Sequence, residues 1–359
     1  MHLFVLSEIY PENNRVGWAV NYTLETLLAS VFETTFLYPL SNKKIGFFKR
    51  YRHRLFKSWY ELKELPTLGK GPNVLLIIGM TPIFLLSIHT LRPLLKQFDL
   101  RVAYLLDSFE PSHIDRSVVA DLDHLFVIDA ETATEINQTQ AIATTFLPLA
   151  TDALRLGSNA RQRPIDIINY GRTNVELHKC LQSHYSQPYS KRLYFHSTFN
   201  SSIVHDLGEH ITLHSKLLSR SRISLCFEPS QVGRFYGRSP ILFRWFEGWA
   251  GGCTIVGKRP LSKGVAPLMD WEHSTIELPD EASEWLPFLE DLLDDDQFLS
   301  ANSQRNSLEC LLRHDWRYRL KDMFNVLALP LPENLKVELS ALQQKIEQQK
   351  KVDLSQQTC

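Results

Sequence analysis

The segment from Gly237 to Gly257 contains the residue types and spacings with the clearest chemical meaning. Arg244 and Glu247 stand three positions apart in a predicted helix and therefore share one helical face. The glycine pair Gly251 and Gly252 follows, before an apolar strand. A carboxylate in such a place can accept both hydroxyls of a ribose, and glycines let a backbone approach a ligand closely. The pattern predicts a ligand-binding edge; a surface ion pair followed by a glycine helix cap is the alternative.

Asp107 is a second candidate, because it directly follows the apolar run Leu100–Leu106. If that run is a strand of a parallel sheet, Asp107 lies at its carboxyl end, where open α/β sheets bind ligands. A carboxylate there can act as a general base or orient a hydroxyl group. We therefore predict a catalytic role for Asp107, with a helix N-cap as the alternative.

The elements that must position these residues alternate between strand and helix, which predicts parallel, doubly wound sheets. One series of predicted strands comprises Leu3–Leu6, Thr35–Tyr38, Asn73–Ile78, Leu100–Leu106, His124–Ile128 and Thr144–Pro148. A second series comprises Ile165–Tyr170, Lys191–Phe195, Ile223–Phe227 and Cys253–Gly257.

The polar stretch Ser158–Pro164 separates the two series and predicts a hinge between two domains. The first predicted domain spans residues 1–155 and the second 156–330, with a C-terminal helix and tail over 331–359. Two doubly wound domains joined by a hinge place a ligand cleft between them.

Composition excludes several classes of protein. The chain has 359 residues, of which 44% are hydrophobic and 22% charged, values typical of a globular protein with two domains. A formal charge of −1 predicts no broad attraction to nucleic acid. The five cysteines include no CxxC spacing, and Met1–Leu6 is typical of a buried strand instead of a signal peptide. These features favour the cytoplasm.

Residues 42–70 form a strongly basic part of the first domain, with nine basic and two acidic residues and hence a net charge of +7. Apolar side chains recur there at helical spacing, at Phe48, Tyr51, Leu55, Trp59 and Leu62. A basic amphipathic helix over 43–63 would bind an anionic surface, such as the inner face of a membrane, or a lipid-linked acceptor. Alternatively, its apolar stripe packs into the domain and its basic face meets water.

Four segments match the motifs of one family in the same order. Arg244–Gly257 fits R-x-F-E-x-x-A-x-G-C-x-x-x-G, Ile165–Arg172 fits I-D-x-x-x-x-G-R, Leu147–Asp152 fits L-P-x-A-x-D, and Asn306–Arg319 fits N…L-x-R-H-D-W-x-Y-R. The chain thereby resembles the bacterial group-1-type glycosyltransferases, especially the spore-maturation-protein-like members. The resemblance covers Phe146 to Leu327, whereas the first half is similar in pattern only.

This resemblance implies the GT-B fold, in which two Rossmann-like domains with doubly wound parallel sheets face each other across a cleft. It also implies a hexosyltransferase-like enzyme that moves a sugar from a nucleotide-sugar donor to an acceptor hydroxyl on a polysaccharide, glycolipid or protein. The donor is a substrate, and the resemblance implies neither a cofactor nor a metal. Asp121-Leu122-Asp123 does not suggest a metal-binding motif, since it precedes a predicted strand instead of following one.

The resemblance also assigns roles to individual residues. Glu247 corresponds to the family carboxylate that holds the donor's ribose or sugar, and Arg172 to the basic residue that meets the diphosphate. Arg244, Gly251 and Gly252 belong to the same donor site. An arginine fork and backbone N–H groups stabilise the charge that develops on the leaving diphosphate.

Other residues follow the family less closely. The related enzymes carry two glutamates eight positions apart, whereas Glu228 precedes Glu247 by nineteen. The intervening loop holds Arg234 and Arg238, which either contact the diphosphate or belong to a solvated loop. In the loop after the first strand, Arg15 and Gly17 are candidates for the acceptor side, with a simple turn as the alternative.

Two further functions remain open at this stage. A non-catalytic GT-B protein that binds carbohydrate or serves as a scaffold would share the architecture, as would a sugar-nucleotide epimerase. A dehydrogenase or a P-loop enzyme is disfavoured because the chain contains neither GxGxxG nor GxxxxGK[ST].

Overall fold

Two parallel β-sheets organise the chain, whose computed structural model describes residues 1–9, 14–41, 59–107, 109, 111–171, 173–197 and 202–357. The first sheet has six strands in the order β2-β1-β5-β6-β7-β8. Its strands are β1 (His2–Ser7), β2 (Glu33–Leu37), β5 (Asn73–Gly79), β6 (Leu100–Leu105), β7 (His124–Val127) and β8 (Thr144–Phe146). β3 (Leu40–Ser41) and β4 (Tyr60–Glu61) form a separate antiparallel pair.

The strands of the first sheet are apolar on both faces because helices cover both sides. Leu3 and Val5 of β1 lie in one buried cluster, whereas Phe4 and Leu6 lie in another on the opposite face. The covering helices are α1 (Ala19–Val31), α2 (Arg116–Val119), α3 (Ala130–Thr139) and the 3-10 helices Val16–Trp18, Pro82–Leu91, Leu95–Gln97 and Pro111–His113. The 3-10 helix Pro82–Leu91 ends close to Pro93, which has no N–H to continue a helix.

The second sheet has five parallel strands in the order β10-β9-β11-β12-β13. They are β9 (Ile165–Asn169), β10 (Tyr194–His196), β11 (Ser221–Phe227), β12 (Thr254–Lys258) and β13 (Ile276–Glu277). The surrounding helices are α4 (Ala153–Leu156), α5 (Val175–Tyr185), α6 (Leu207–Leu218), α7 (Phe243–Ala250), α8 (Trp285–Asp294) and α9 (Asp296–Arg313), with 3-10 helices at Gly233–Phe235, Ala266–Leu268 and Ala282–Glu284.

The chain then returns to the first sheet through α10 (Trp316–Val326) and α11 (Glu333–Gln357). The indole of Trp316 donates to Thr23 Oγ1 of α1 at 3.2 Å, and Phe324 stacks on Phe32 with ring centroids 5.4 Å apart. Trp316 also packs against Phe243 of α7, with ring centroids 6.4 Å apart, so α10 contacts a helix beside each sheet. The domain limits at residues 155 and 330 stay predictions.

The basic segment lies largely beyond the described residues, since 42–58 are outside them. Its last part differs from the predicted helix: Tyr60 and Glu61 form β4, and the Tyr60 ring packs edge-on against Phe84 at 5.4 Å. Within the described ranges, no helix is both long enough and apolar enough to cross a bilayer.

Candidate functional site

Glu247 is the fifth of the eight residues of α7, and its side chain lies beside Tyr170, at the carboxyl end of β9 in the second sheet. The hydroxyl of Tyr170, the first residue after β9, donates to Glu247 Oε2 at 3.2 Å, and His214 Nδ1 of α6 lies 3.9 Å from Oε1. Burial raises the pKa of the Glu247 carboxyl to about 7, against the hydrogen bond from Tyr170. Glu247 can therefore exchange a proton near neutral pH, which is typical of functional carboxyls.

Arg244 precedes Glu247 by three residues on α7 and is only 8% exposed. Its Nη1 donates to the backbone oxygen of Tyr170 at 3.1 Å. Both charged residues of α7 therefore contact Tyr170, one through its backbone and one through its hydroxyl. Gly171 follows with a φ of 67°, a conformation that favours glycine, and turns the chain away from β9.

His210 and His214 face this group from α6, and neither was predicted from the sequence. Their rings stack with centroids 6.2 Å apart, and the His214 ring meets Tyr170 edge-on at 4.3 Å. Burial lowers the pKa of His214 to about 4, so this ring is neutral at pH 7. The HxxxH spacing, which places two imidazoles on one helical face, was the available signal.

A small open cleft lies beside Glu247 and His214. Its other wall comes from α1 of the first domain, through Val20 and Thr23, and Thr151 of the connecting segment lines it as well. The cleft therefore lies between α1 on one side and α6 and α7 on the other, and ligand binding there stays a prediction.

The glycine pair after α7 has a packing role. A Cβ at Gly251 would lie 2.7 Å from Leu218 Cβ, so this glycine lets α7 approach α6 closely while it borders the cleft. Gly252 has a φ of 72°, and a Cβ there would lie 2.4 Å from Arg163 Nη2. Both positions therefore need glycine for the fold. A close approach of their backbone to a donor stays a prediction.

Asp107 follows β6, and its carboxylate meets a residue of the second domain. Arg234 Nη1 lies 2.7 Å from Asp107 Oδ2. The Asp107 side chain is 11% exposed and that of Arg234 58% exposed. The structure thus brings together Asp107, which was predicted to face the acceptor, and Arg234, which was predicted to contact the diphosphate of the donor.

Arg238, four residues further on, also binds the first domain. Its guanidinium contacts Glu131 at 3.1 Å, Glu135 at 2.6 Å and Asp129 at 3.7 Å, while its Nε donates to the backbone oxygen of Phe109. Its donors are therefore engaged by α3 and the residue that caps it. A contact between Arg238 and a diphosphate stays a prediction.

Arg15 and Gly17 lie at a second contact between the two domains. Arg15 forms an isolated antiparallel bridge with Ile203 of the second domain, and the Val16 N–H donates to Ser202 O at 2.8 Å. Both Arg15 and Gly17 are exposed, and in the described part of the chain no atom beyond the neighbouring residues lies within 4 Å of a Cβ built on Gly17. Their predicted contact with an acceptor is compatible with this exposure and stays a prediction.

Two remaining candidates are placed differently. Arg172 lies outside the described residues, so its predicted contact with the diphosphate stays a prediction. The carboxylate of Glu228 accepts bonds from Ser230 N, Ser230 Oγ and Ser239 Oγ, each at 2.7 Å, and so ties together the loop that carries Arg234 and Arg238.

Comparisons with known proteins identify the architecture. No protein-family model matches the chain, and no curated protein matches it. The crystal structure of Anabaena HepE in complex with UDP-glucose is similar, with a TM-score of 0.51, 11% identity, and 91% of this chain and 99% of that chain covered. An alpha-glucosyltransferase in complex with UDP and a 13-mer DNA containing a HMU base gives a TM-score of 0.50, 9% identity and the same coverage of 91% and 99%.

At sequence identities of 11% and 9%, the similarity to these two structures shows the fold alone. Both structures match almost over their full length, and the two parallel sheets of this chain agree with the predicted pair of Rossmann-like domains. The chain has the GT-B fold, with two Rossmann-like domains facing each other across a cleft.

Proposed function

We propose that this chain is a glycosyltransferase that moves a sugar from a nucleotide-sugar donor to an acceptor hydroxyl in the interdomain cleft. The observation that carries the proposal is the group formed by Glu247, Tyr170 and His214 at the carboxyl end of the second sheet and beside the cleft. Open α/β sheets bind ligands at that edge. The two similar structures hold UDP-glucose and UDP, which makes a uridine nucleotide the first donor to test.

In this proposal Glu247 accepts hydrogen bonds from hydroxyls of the donor. Its ionised form is the better acceptor, and its pKa of about 7 makes that form available at neutral pH. Arg172 and Arg234 neutralise the diphosphate as it leaves, and Asp107 faces the acceptor hydroxyl. These roles need no metal.

The proposed acceptor is a polysaccharide, a glycolipid or a protein, and the proposed location is the cytoplasm. Four described cysteines, Cys180, Cys226, Cys253 and Cys310, are free thiols, which fits a reducing compartment. A membrane-bound acceptor would also give a role to the basic segment over 43–63.

A non-catalytic GT-B protein is the second candidate. It is favoured by the ion pairs that Arg238 makes with Glu131 and Glu135 of the first domain, because a guanidinium held by several carboxylates is less available to a diphosphate.

An assay of donor turnover separates these functions. UDP-glucose and other UDP-sugars are incubated with the protein, with and without acceptor saccharides, and both UDP and the remaining sugar nucleotide are quantified. A transferase releases UDP faster when acceptor is present, and Glu247→Gln lowers the rate. An epimerase converts the donor without acceptor, and a scaffold leaves every donor unchanged; either result would contradict the proposed function.

A further inference from the structure

The loop from Glu228 to Ser239 links the second domain to the first. The Phe235 ring is fully buried and lies 4.6 Å from the Phe109 ring of the first domain. Tyr236 packs edge-on against His113, with centroids 5.7 Å apart. The lengthened spacing between Glu228 and Glu247 therefore has a structural consequence, because the extra residues carry this contact.

The two arginines of the loop are held very differently. The Arg238 side chain is 17% exposed and meets three carboxylates, so it is a fixed part of the contact. The Arg234 side chain is 58% exposed, and its guanidinium lies 4.7 Å from the Phe235 ring while it contacts Asp107. Because more than half of its side chain is in solvent, Arg234 can turn away from Asp107 without being desolvated.

Arg234 also stands where both substrates would meet. Its loop follows β11, a central strand of the second sheet, and Asp107 follows β6, a central strand of the first. The 2.7 Å contact shows that the carboxyl ends of these strands face each other. A diphosphate bound at the edge of the second sheet would offer Arg234 several charged oxygens and paired hydrogen bonds, more than one carboxylate can offer.

We propose that Arg234 is a positioning residue that exchanges the carboxylate of Asp107 for the diphosphate of the donor. Without donor, the guanidinium neutralises Asp107. When the donor binds, Arg234 turns to the diphosphate and leaves the ionised Asp107 for the acceptor hydroxyl. This inference rests on the proposed function. It implies that donor binding and the release of Asp107 from Arg234 are thermodynamically coupled.

If Asp107 and the diphosphate compete for Arg234, substitutions at either residue should change the affinity for UDP. Asp107→Asn removes the competing carboxylate, so UDP should bind about two- to five-fold more tightly, the factor that corresponds to an exposed ion pair. Arg234→Gln should weaken UDP binding. Asp123→Asn is the matched control, because it breaks a similar pair with Arg101, at 2.7 Å, at the amino end of β6. The control should leave the affinity for UDP unchanged.

A double variant separates exchange from the general effect of removing a negative charge. Isothermal titration of UDP and of inorganic pyrophosphate is carried out on the wild type, both single variants and Asp107→Asn/Arg234→Gln. The exchange predicts that the gain from Asp107→Asn disappears when Arg234 is absent. A gain that persists in the Arg234→Gln background, or no gain in Asp107→Asn, overturns the exchange and leaves the proposed function intact. Absence of binding by all four proteins overturns both.

Discussion

The surroundings of the Glu247 carboxyl disfavour its ionised form. Its oxygens face a tyrosine hydroxyl and a neutral imidazole, and the guanidinium of Arg244 is directed to the backbone of Tyr170. Burial raises the pKa of Glu247 to about 7, although Arg244 and the Tyr170 hydroxyl act in the opposite direction. A donor that brings hydroxyl groups to this carboxylate would compensate for the lost hydration.

This environment predicts a pH-dependent effect of Glu247→Gln on stability. Between pH 4.5 and about 7 the unfolded chain loses this proton while the folded chain keeps it, so wild-type stability falls as pH rises through that window. Glu247→Gln has no carboxyl at this position and therefore does not lose stability over that pH range. We expect little difference in the free energy of unfolding at pH 4.5 and a gain of at most about 3 kcal/mol at pH 8.

Urea unfolding at the two pH values measures this difference. Glu281→Gln, at an exposed position, is the matched control and should change neither value. An equal effect of Glu247→Gln at both pH values would show that the carboxyl does not resist ionisation.

At this scale the sequence indicated which side chains could do chemistry but not what they contact. The motif around Glu247 could be recognised because its residues are close together in the chain. The partners of Arg234 and Arg238 could not, since they lie more than 100 positions earlier and meet the loop only after both domains have folded.

Helix α7 is the element that positions the candidate site. Trp245, Phe246 and Trp249 are fully buried, and their packing fixes the rotation of the helix that presents Glu247. The trailing glycines then let the chain pass between Leu218 and Arg163. The predicted binding site at this turn is therefore also a point of tight packing.

We expect Gly252→Ala to destabilise the protein by about 1–3 kcal/mol, because φ is 72° there and the new Cβ would overlap Arg163. Gly17→Ala is the matched control, since among the described residues a Cβ at Gly17 meets only its chain neighbours within 4 Å. Chemical denaturation compares the two variants. Equal stabilities would contradict a structural need for glycine after α7.

The strand pattern was predictable because each central strand is a run of apolar residues, as in Asn73–Gly79. The fold class that this pattern predicted is confirmed. Short elements were not predictable in this way: β13 has two residues, and β4 lies where helical spacing was expected. Two residues carry too little periodicity to identify a strand, and their pairing depends on distant parts of the chain.

At the scale of the whole molecule, a buried charge network joins the connecting segment to the C-terminal helices. Arg317 is fully buried and bonds Asp152 at 2.9 Å, Asp315 at 2.7 Å and Glu338 at 2.7 Å. Lys345 of α11 donates to the backbone oxygen of Leu154 at 2.6 Å. The closing motif that resembled the glycosyltransferases therefore fixes the connection between the two domains.

Arg317→Met should cost about 3–5 kcal/mol of stability, because it leaves buried carboxylates without their cation. Arg305→Met provides the comparison, since the pair of Arg305 with Glu272 is largely exposed and should contribute less than about 1 kcal/mol. Thermal or urea unfolding measures both. A loss in Arg317→Met no larger than that in Arg305→Met would contradict the bracing role of the network.

Nucleotide binding by the cleft is the most direct test of the proposed function. Thermal unfolding is followed with UDP, GDP, ADP, CMP and dTDP for the wild type, Glu247→Ala and the control Glu281→Ala. A ligand at 100 times its Kd stabilises the folded protein by about 2.7 kcal/mol. We predict that one nucleoside diphosphate, first of all UDP, raises the unfolding temperature of the wild type and the control but not of Glu247→Ala. No shift with any nucleotide, or an equal shift in Glu247→Ala, would contradict the proposed donor site.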